Sequence, residues 1–198
     1  MNGNLTTLGT YADSAATTPT AEATYAWDAE DRLVSYTDAT TAATYTYTGD
    51  SDRLSQTVNT ETMEYLLDTA SGLTQVLGEF STQDTYYLIG ADIIGGETGT
   101  DWTYHQSDGL GSLRMLTDAT GTPTYTASYD PYGAPLDMSG TRDTSFGYTG
   151  EQTDSTDLQY LRARYYDPGP GVFTGLIVGV ALTLRGAGML LRGYNPRQ

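Results

Sequence analysis

The residues able to do chemistry are carboxylates and tyrosines. The 198-residue chain carries 25 Asp and Glu, 17 Tyr, a single His and no Cys. Without cysteine there is no disulfide framework, no zinc-thiolate site and no thiol nucleophile. His105 is the one imidazole. A His-centred acid/base or metal site needs carboxylate partners, and none lies near it in sequence, so a structural or solvent-facing His105 is expected. The acidic clusters Asp28-Ala29-Glu30-Asp31 and Asp50-Ser51-Asp52 lack the ligand spacing of a dedicated calcium loop and read as solvated turns. No phosphate-cradling loop, nucleophile–base pair or metal-ligand cluster is found, so neither a cofactor nor an enzyme in its own right is expected. Tyr and Trp offer flat apolar rings with a polar tip. They either pack between structural units or, where several stand exposed on one face, form a sugar-stacking surface.

The net charge is −16, and all nine basic residues are Arg. Nucleic acid and anionic membranes require clustered positive charge, so neither is an expected partner. The charge is unevenly spread. All 25 acids lie in residues 1–167 with six Arg, whereas residues 168–198 hold three Arg and no acid.

The elements that must position these residues are strands. Thr and Tyr suit a pleated, half-buried surface, and Gly, Asp and Asn supply turns. A repeat of near twenty residues runs through the first half: ATYAWDAEDRLVSY from Ala23 returns as ATYTYTGDSDRLSQTV from Ala43, and MEYLLDTASGLTQVL is a weaker copy. GNLTTL at Gly3 to Leu8 has the form of a copy's tail. In the two stronger copies aromatic and polar residues alternate (Tyr25, Trp27; Tyr45, Tyr47), an acidic bend follows, and an Arg-Leu pair opens a second alternating run. Period-two alternation on both sides of a bend predicts a β-hairpin. Lone hairpins are marginal in water, so these must stack on one another. Another hairpin is expected over Asp84 to Thr100, with Tyr86, Leu88 and Ile93 in the core. Beyond it, strands are expected over Trp102–His105, Leu113–Thr117, Pro123–Tyr129, Ser145–Thr149, Leu158–Arg164 and Tyr165–Asp167. Turns fall at Asp108-Gly109, Asp118 to Gly121, Pro131 to Gly133 and Ser155 to Asp157. Arg162 and Arg164, two apart on a strand, would share a face and pair with acids such as Asp130 or Asp157.

The stretch from Trp102 to Phe173 holds the densest pattern. Tyr104-His105 is followed by Asp108-Gly109-Leu110-Gly111-Ser112, then Leu116-Thr117-Asp118 with Gly121, then Tyr129-Asp130-Pro131-Tyr132-Gly133. Phe146 to Glu151 and Leu158 to Pro168, with Arg162-Ala163-Arg164-Tyr165-Tyr166-Asp167-Pro168, complete it. This order of blocks resembles the repeat-associated core of rearrangement-hotspot (Rhs) proteins. The upstream hairpins are similar to the YD repeats of those proteins, of insecticidal toxin-complex components and of teneurins. The resemblance implies an all-β fold in which stacked hairpins form an extended, spiralling antiparallel sheet, part of a hollow shell that encloses a C-terminal toxin. It divides the chain into degenerate YD-type hairpins (1–100), the repeat-associated core (101–173) and a divergent apolar and basic tail (174–198). It further implies a secreted or cell-surface location, although no signal peptide is found, with other YD repeats, a parent shell or toxin cargo as partners. The rival reading is a surface adhesion module whose exposed tyrosines bind cell-surface glycan.

In that family self-cleavage is carried by aspartates of Asp-Pro-x-Gly-Leu motifs downstream of the Arg-Tyr-Tyr-Asp-Pro block. Here the corresponding region contains no acid. A paired-carboxylate mechanism needs two, so family-type self-cleavage is not expected. Asp130-Pro131-Tyr132-Gly133 fits part of the motif but sits in another block and reads as a turn. The apolar run from Val172 to Leu184, followed by Arg185, is too short to span a bilayer core. Gly175 and Gly179 form a GxxxG that carries no weight outside a secure membrane helix. The tail is expected to be a degenerate or frame-shifted ending.

Overall fold

The computed structural model describes residues 4–10, 18–70 and 72–175. Residues 176–198, with the continuation of the apolar run and the expected degenerate ending, lie outside the described residues. Among those described, no helix is long and apolar enough to cross a membrane.

The expected all-β architecture of stacked hairpins is what the chain adopts. Thirteen strands form one sheet in which every strand neighbours the next in sequence: β1 Thr7–Thr10, β2 Ala21–Trp27, β3 Leu33–Thr37, β4 Ala42–Tyr47, β5 Arg53–Val58, β6 Glu61–Asp68, β7 Gln75–Phe80, β8 Thr85–Ile89, β9 Ile93–Thr98, β10 Asp101–Ser107, β11 Leu113–Thr117, β12 Pro123–Tyr129 and β13 Pro135–Gly140. All pairings are antiparallel, and β9 pairs with β10 as its predecessors do, so the sheet is continuous across residues 100 and 101. A second, four-stranded sheet follows: β14 Gln152–Thr153, β15 Gln159–Tyr160, β16 Tyr165–Asp167 and β17 Val172–Phe173.

One turn design recurs along the ribbon. Asp28, Asp108, Asp118 and Asp130 each accept, through Oδ1, the backbone N–H two and four residues on. The backbone closes the same five residues, as in Asp118 N–H to Thr122 O and Gly121 N–H to Asp118 O. The fourth residue turns left-handed: Asp31 at φ 60°, Gly111 at 82°, Gly121 at 83° and Gly133 at 92°. These four aspartate bends are therefore local structure, their leading carboxylates engaged by backbone donors that would otherwise be orphaned; in the Asp50-Ser51-Asp52 bend the Thr48 hydroxyl takes that place, accepting from Asp52 N–H at 3.2 Å.

The core lies between the two sheets. Tyr25, Leu33, Tyr36, Ala43 and Tyr45 of the ribbon pack with Leu158, Tyr160 and Tyr165 of the small sheet, which caps one face of the ribbon. Leu113, Leu116, Tyr125 and Ala127 form a second cluster.

Four expectations change. Tyr86 and Leu88 are half exposed and Tyr87 is buried instead, while Ile93 is half-buried. Pairing of Gly78 with Tyr86 sets the opposite phase, because the face towards the cap is taken by Tyr65, Glu79 and Tyr87. Ser145–Thr149 is not a strand: Phe146 makes one bridge to Gln152, and a short 3-10 turn spans Tyr148–Gly150 with Thr149 at φ 55°. That turn is held by Thr149 N–H donating to Ser112 Oγ and Leu113 N–H donating to Gly147 O. Leu158–Arg164 is extended only at Gln159–Tyr160, and the chain reverses through Arg162 at φ 56° to pair Tyr160 with Tyr165. Finally β13, six residues all exposed, had no counterpart among the expected strands.

Candidate functional site

A dense network of buried polar groups forms where β5 meets the cap, and its centre is Arg53. This residue is 2% exposed, and among the described residues its side chain is the largest of those fully buried. Its Nη1 donates to Asp154 Oδ2 at 2.6 Å and to the Tyr165 hydroxyl at 3.2 Å, and its Nη2 donates to Gln152 Oε1 at 3.1 Å. The backbone N–H of Arg53 donates to the Tyr160 hydroxyl at 2.9 Å. Rings enclose the guanidinium: Tyr160 at 4.2 Å and Tyr65 at 4.8 Å from its carbon. Burial works against the charge, but the Asp154 carboxylate together with Tyr165 and Tyr65 around it outweighs this and raises the Arg53 pKa well above its ordinary value.

Asp154 opens another of the five-residue turns, with Asp154 N–H to Leu158 O, Asp157 N–H to Asp154 O and Asp157 at φ 62°. Here the carboxylate leaves its own turn and reaches Arg53. With the Gln56 amide nitrogen turned to the carboxylate, Gln56 donates to Asp154 Oδ1 at 3.1 Å and accepts from the Tyr65 hydroxyl at 3.0 Å.

A second buried carboxylate extends the network. Glu79, 5% exposed, accepts from Tyr87 at 2.9 Å, from Gln152 Nε2 at 2.8 Å and from the Ser145 hydroxyl. Gln152 thus joins both carboxylate clusters and satisfies one group in each. His105 lies on the same inner face, 9% exposed, its ring 6.5 Å from that of Tyr87. Burial pushes its pKa down to about 4, so the imidazole is neutral at pH 7.

The family-motif residues fall into three places. Asp108, Gly109, Leu110, Gly111 and Ser112 form the β10–β11 turn, with the side chain of Leu110 in solvent and Ser112 buried against Thr149. Tyr129, Asp130, Pro131 and Gly133 form the β12–β13 turn, where Tyr148 packs: its hydroxyl donates to Pro131 O at 3.0 Å and its ring lies 5.5 Å from Tyr129. A Cβ on Gly133 would stand 2.5 Å from the Tyr148 ring. Arg162, Arg164, Tyr165, Tyr166, Asp167 and Pro168 belong to the cap. Tyr166 donates to Tyr132 O at 2.8 Å, tying the cap back to the β12–β13 turn. Asp167 Oδ1 accepts from Gly169 N–H at 3.0 Å, and burial raises its pKa. Pro168 is buried beside it in sequence.

The two arginines do not share a strand face. Arg162 pairs with Glu151 at 2.9 Å and donates to Thr74 O at 3.3 Å, while Arg164 lies 3.6 Å over the Phe173 ring. Asp130 and Asp157 are not their partners: Asp130 is engaged in its own turn, and the reversal at Arg162 separates the two guanidinium groups.

The residues missed by sequence reasoning are Arg53, Asp154, Gln152 and Glu79. The text Asp154-Ser155-Thr156-Asp157-Leu158 has the same five-residue form as the turn from Asp28 to Arg32, each with Asp at its fourth position, so nothing local marks Asp154 as the carboxylate that leaves its own turn. Chemically, the arrangement ties layers together. The two buried carboxylates are satisfied by Arg53, Gln152, Tyr87 and Ser145, and no group of three or more His, Asp or Glu able to hold a metal exists among the described residues.

Comparison with known proteins places this architecture. No family model matches the chain. It is 32% identical over 188 residues to the tRNA3(Ser)-specific nuclease WapA of Bacillus spizizenii and, to the same degree, to the tRNA nuclease WapA of Bacillus subtilis. The match takes in 88% of this chain and 7% of each relative, so the chain spans a small part of their length. Among solved structures, TcdB2-TccC3 superposes with a TM-score of 0.62 at 18% identity, over 77% of this chain and 9% of that one. TcdB2-TccC3 without its hypervariable C-terminal region gives 0.60 at 18% identity, with the same coverage. Over 77% of its length the chain thus has the fold of a segment of TcdB2-TccC3, and in sequence it is similar to a segment of the WapA nucleases.

Proposed function

We propose that this chain is a wall-and-cap segment of an Rhs/YD-repeat shell, non-enzymatic in itself. The single observation that carries the reading is the buried Arg53–Asp154 pair, which fastens the small sheet onto one face of the ribbon at 2.6 Å. A buried pair ringed by tyrosines serves a fixed wall. It leaves the Asp154 carboxylate committed to Arg53 and not free to act as acid or base. Four further aspartates are structural in the same way, with Asp28, Asp108, Asp118 and Asp130 capping their own turns. The motif blocks that resemble the repeat-associated core supply the β10–β11 turn, the β12–β13 turn and the cap, all of them architecture. In a parent shell such a segment would adjoin further YD repeats and face toxin cargo, at the cell surface or outside the cell. The activity named for the WapA relatives would then reside in other parts of those longer chains.

The test has two readouts on the purified 198-residue chain. Incubated with total tRNA, it leaves the tRNA intact, and intact-mass spectrometry over several days finds one full-length species. Specific tRNA cleavage abolished by His105→Gln or Glu79→Gln, or a discrete self-cut lost on changing one acid, would overturn the reading.

A further inference from the structure

Between strands β5–β11 and the segment 146–152 the packing stops short. A cavity of about 220 Å³ lies there, its lining drawn from both sheets and from that segment. Protein interiors are close-packed, and few of their voids exceed a water molecule. An opening this large, beside the pair that fastens the cap, weakens the wall it sits in.

Two buried polar atoms of the lining residues have no partner. His105 Nε2 and Arg53 Nε make no hydrogen bond, although both residues line the cavity and are more than nine-tenths buried. Their neighbours are satisfied: Gln152 bonds both Arg53 and Glu79, and Glu79 also accepts from Tyr87 and Ser145. A buried donor or acceptor left unpaired is costly and rare. A complementary group from outside the chain answers both observations, the space and the missing partner.

We propose that the cavity binds a neutral monocyclic phenol whose hydroxyl meets His105 Nε2. The lining selects that chemistry in three ways. Leu67, Val76, Ile93, Leu113 and Phe146 give it apolar walls, and the Phe146 ring, held edge-on to Tyr87 at 5.0 Å, is a fixed aromatic neighbour for a flat ring. A hydroxyl is at once donor and acceptor, so it suits either tautomer of a neutral imidazole, the form in which burial keeps His105 at pH 7. Charge excludes ions: Arg53 and Arg162 are already paired with Asp154 and Glu151, Asp52 and Asp92 add negative charge to the lining, and a cation would meet Arg53 itself. Size sets the upper limit. An apolar cavity of about 150 Å³ holds benzene, so 220 Å³ takes a phenol with a short alkyl substituent and leaves no room for a peptide backbone around it.

The experiment is isothermal titration of the full 198-residue chain, made without a histidine tag, with p-cresol, toluene, 4-hydroxybenzoate and N-acetyltyrosinamide at pH 7. Saturable binding of one p-cresol per chain is expected, with toluene at least fivefold weaker and the anion and the tyrosine amide each at least tenfold weaker. His105→Leu should lower the affinity for p-cresol to that for toluene and leave toluene unchanged, a split that a general loosening of the cap would not produce. Val76→Phe, which adds a ring to the lining, should abolish binding of both. Tyr132→Ala, on the β12–β13 turn outside the lining, should change neither, and urea unfolding checks that each variant is folded. One readout needs no variant: His105 is the only imidazole, so its Nε2 nitrogen resonance is identified at once and should shift with p-cresol and not with toluene. The proposal is overturned by absence of saturable binding at millimolar p-cresol, which leaves the cavity to water, by toluene or 4-hydroxybenzoate binding as tightly as p-cresol, or by full affinity in folded His105→Leu. Tighter binding of N-acetyltyrosinamide than of p-cresol would assign the cavity to a side chain of another polypeptide and equally overturn it. None of these outcomes bears on the tRNA and self-cleavage readouts.

Discussion

Two arginines that open equivalent strands in the repeat have opposite fates. Arg32 and Arg53 each precede a Leu after an acidic bend. Arg32 stays partly exposed and pairs with Asp28 and Glu30 of its own bend, at 2.7 and 2.9 Å. Arg53 is sealed under the cap with Asp154, more than a hundred residues on. An exposed pair contributes at most about 1 kcal/mol, whereas removing one partner of a buried pair costs about 3–5 kcal/mol because the other charge is stranded. Asp154→Ala should therefore lower unfolding free energy by about that amount, and Asp28→Ala by little beyond its lost turn bonds. Arg53→Met combined with Asp154→Leu should recover most of the loss, as a urea-unfolding double-mutant cycle would show. His105 gives a pH signature. Its folded pKa, about 4, lies below the unfolded value of 6.5, so its contribution is present above pH 6.5 and is lost as pH falls through 6.5 towards 4. The drop amounts to about 3 kcal/mol. The carboxylates titrate in both proteins, so the difference between the chain and His105→Leu across that window isolates the imidazole. A flat difference would show that His105 takes up its proton without opposition.

At the scale of the element, the turns were the most legible feature and the buried network the least, for the same reason: range. An Asp accepting from the second and fourth N–H ahead, with a left-handed residue between, is decided within five residues, and the bends at Asp108, Asp118 and Pro131 fall where sequence places them. So do β11, β12 and β16. The phase of β8 depends on which face meets the cap, information held some sixty residues downstream in Ser145, Phe146 and Gln152. Tyr86-Tyr87-Leu88 offers a large side chain to either face, so alternation alone leaves the choice open. The break at Arg162 likewise depends on Tyr165 turning back to fill the space over Tyr45, 5.2 Å from it. The turns themselves separate conformational cost from contact. Gly121→Ala places a side chain at φ +83° with nothing near its Cβ and should cost about 1–2 kcal/mol. Gly133→Ala, at φ +92°, adds a Cβ that meets the Tyr148 ring at 2.5 Å. It should cost distinctly more and release Tyr148, read as a larger fall in Tm and faster amide exchange at Thr149 and Gly150. Equal losses for the two would show that Tyr148 withdraws freely.

At the scale of the whole molecule, the described residues form an open ribbon with a small cap, and openness has a consequence in solution. Among the described residues β1 and β13 each pair on one side only. All six residues of β13 are exposed, with Leu136 at 69% and Met138 at 52%. An unpaired, flat, partly apolar edge recruits another strand. Joining β13 of one copy to β1 of another is a heterologous contact that need not close, so growth continues beyond a dimer. Opposing this is the net charge of −16, which keeps copies apart while the Debye length is long and acts less once it falls to about 8 Å near 0.15 M salt. The isolated chain should therefore be mostly monomeric at low ionic strength and form progressively larger species as sodium chloride rises. Leu136→Glu with Met138→Glu places charges on that edge strand and should hold the chain monomeric at the same salt, while Trp102→Ala, on the sheet's central face, should associate as the parent does. Sedimentation velocity at several salt concentrations distinguishes these cases. Association that weakens with salt, or that persists in the double glutamate variant, would place the contact elsewhere than on β13.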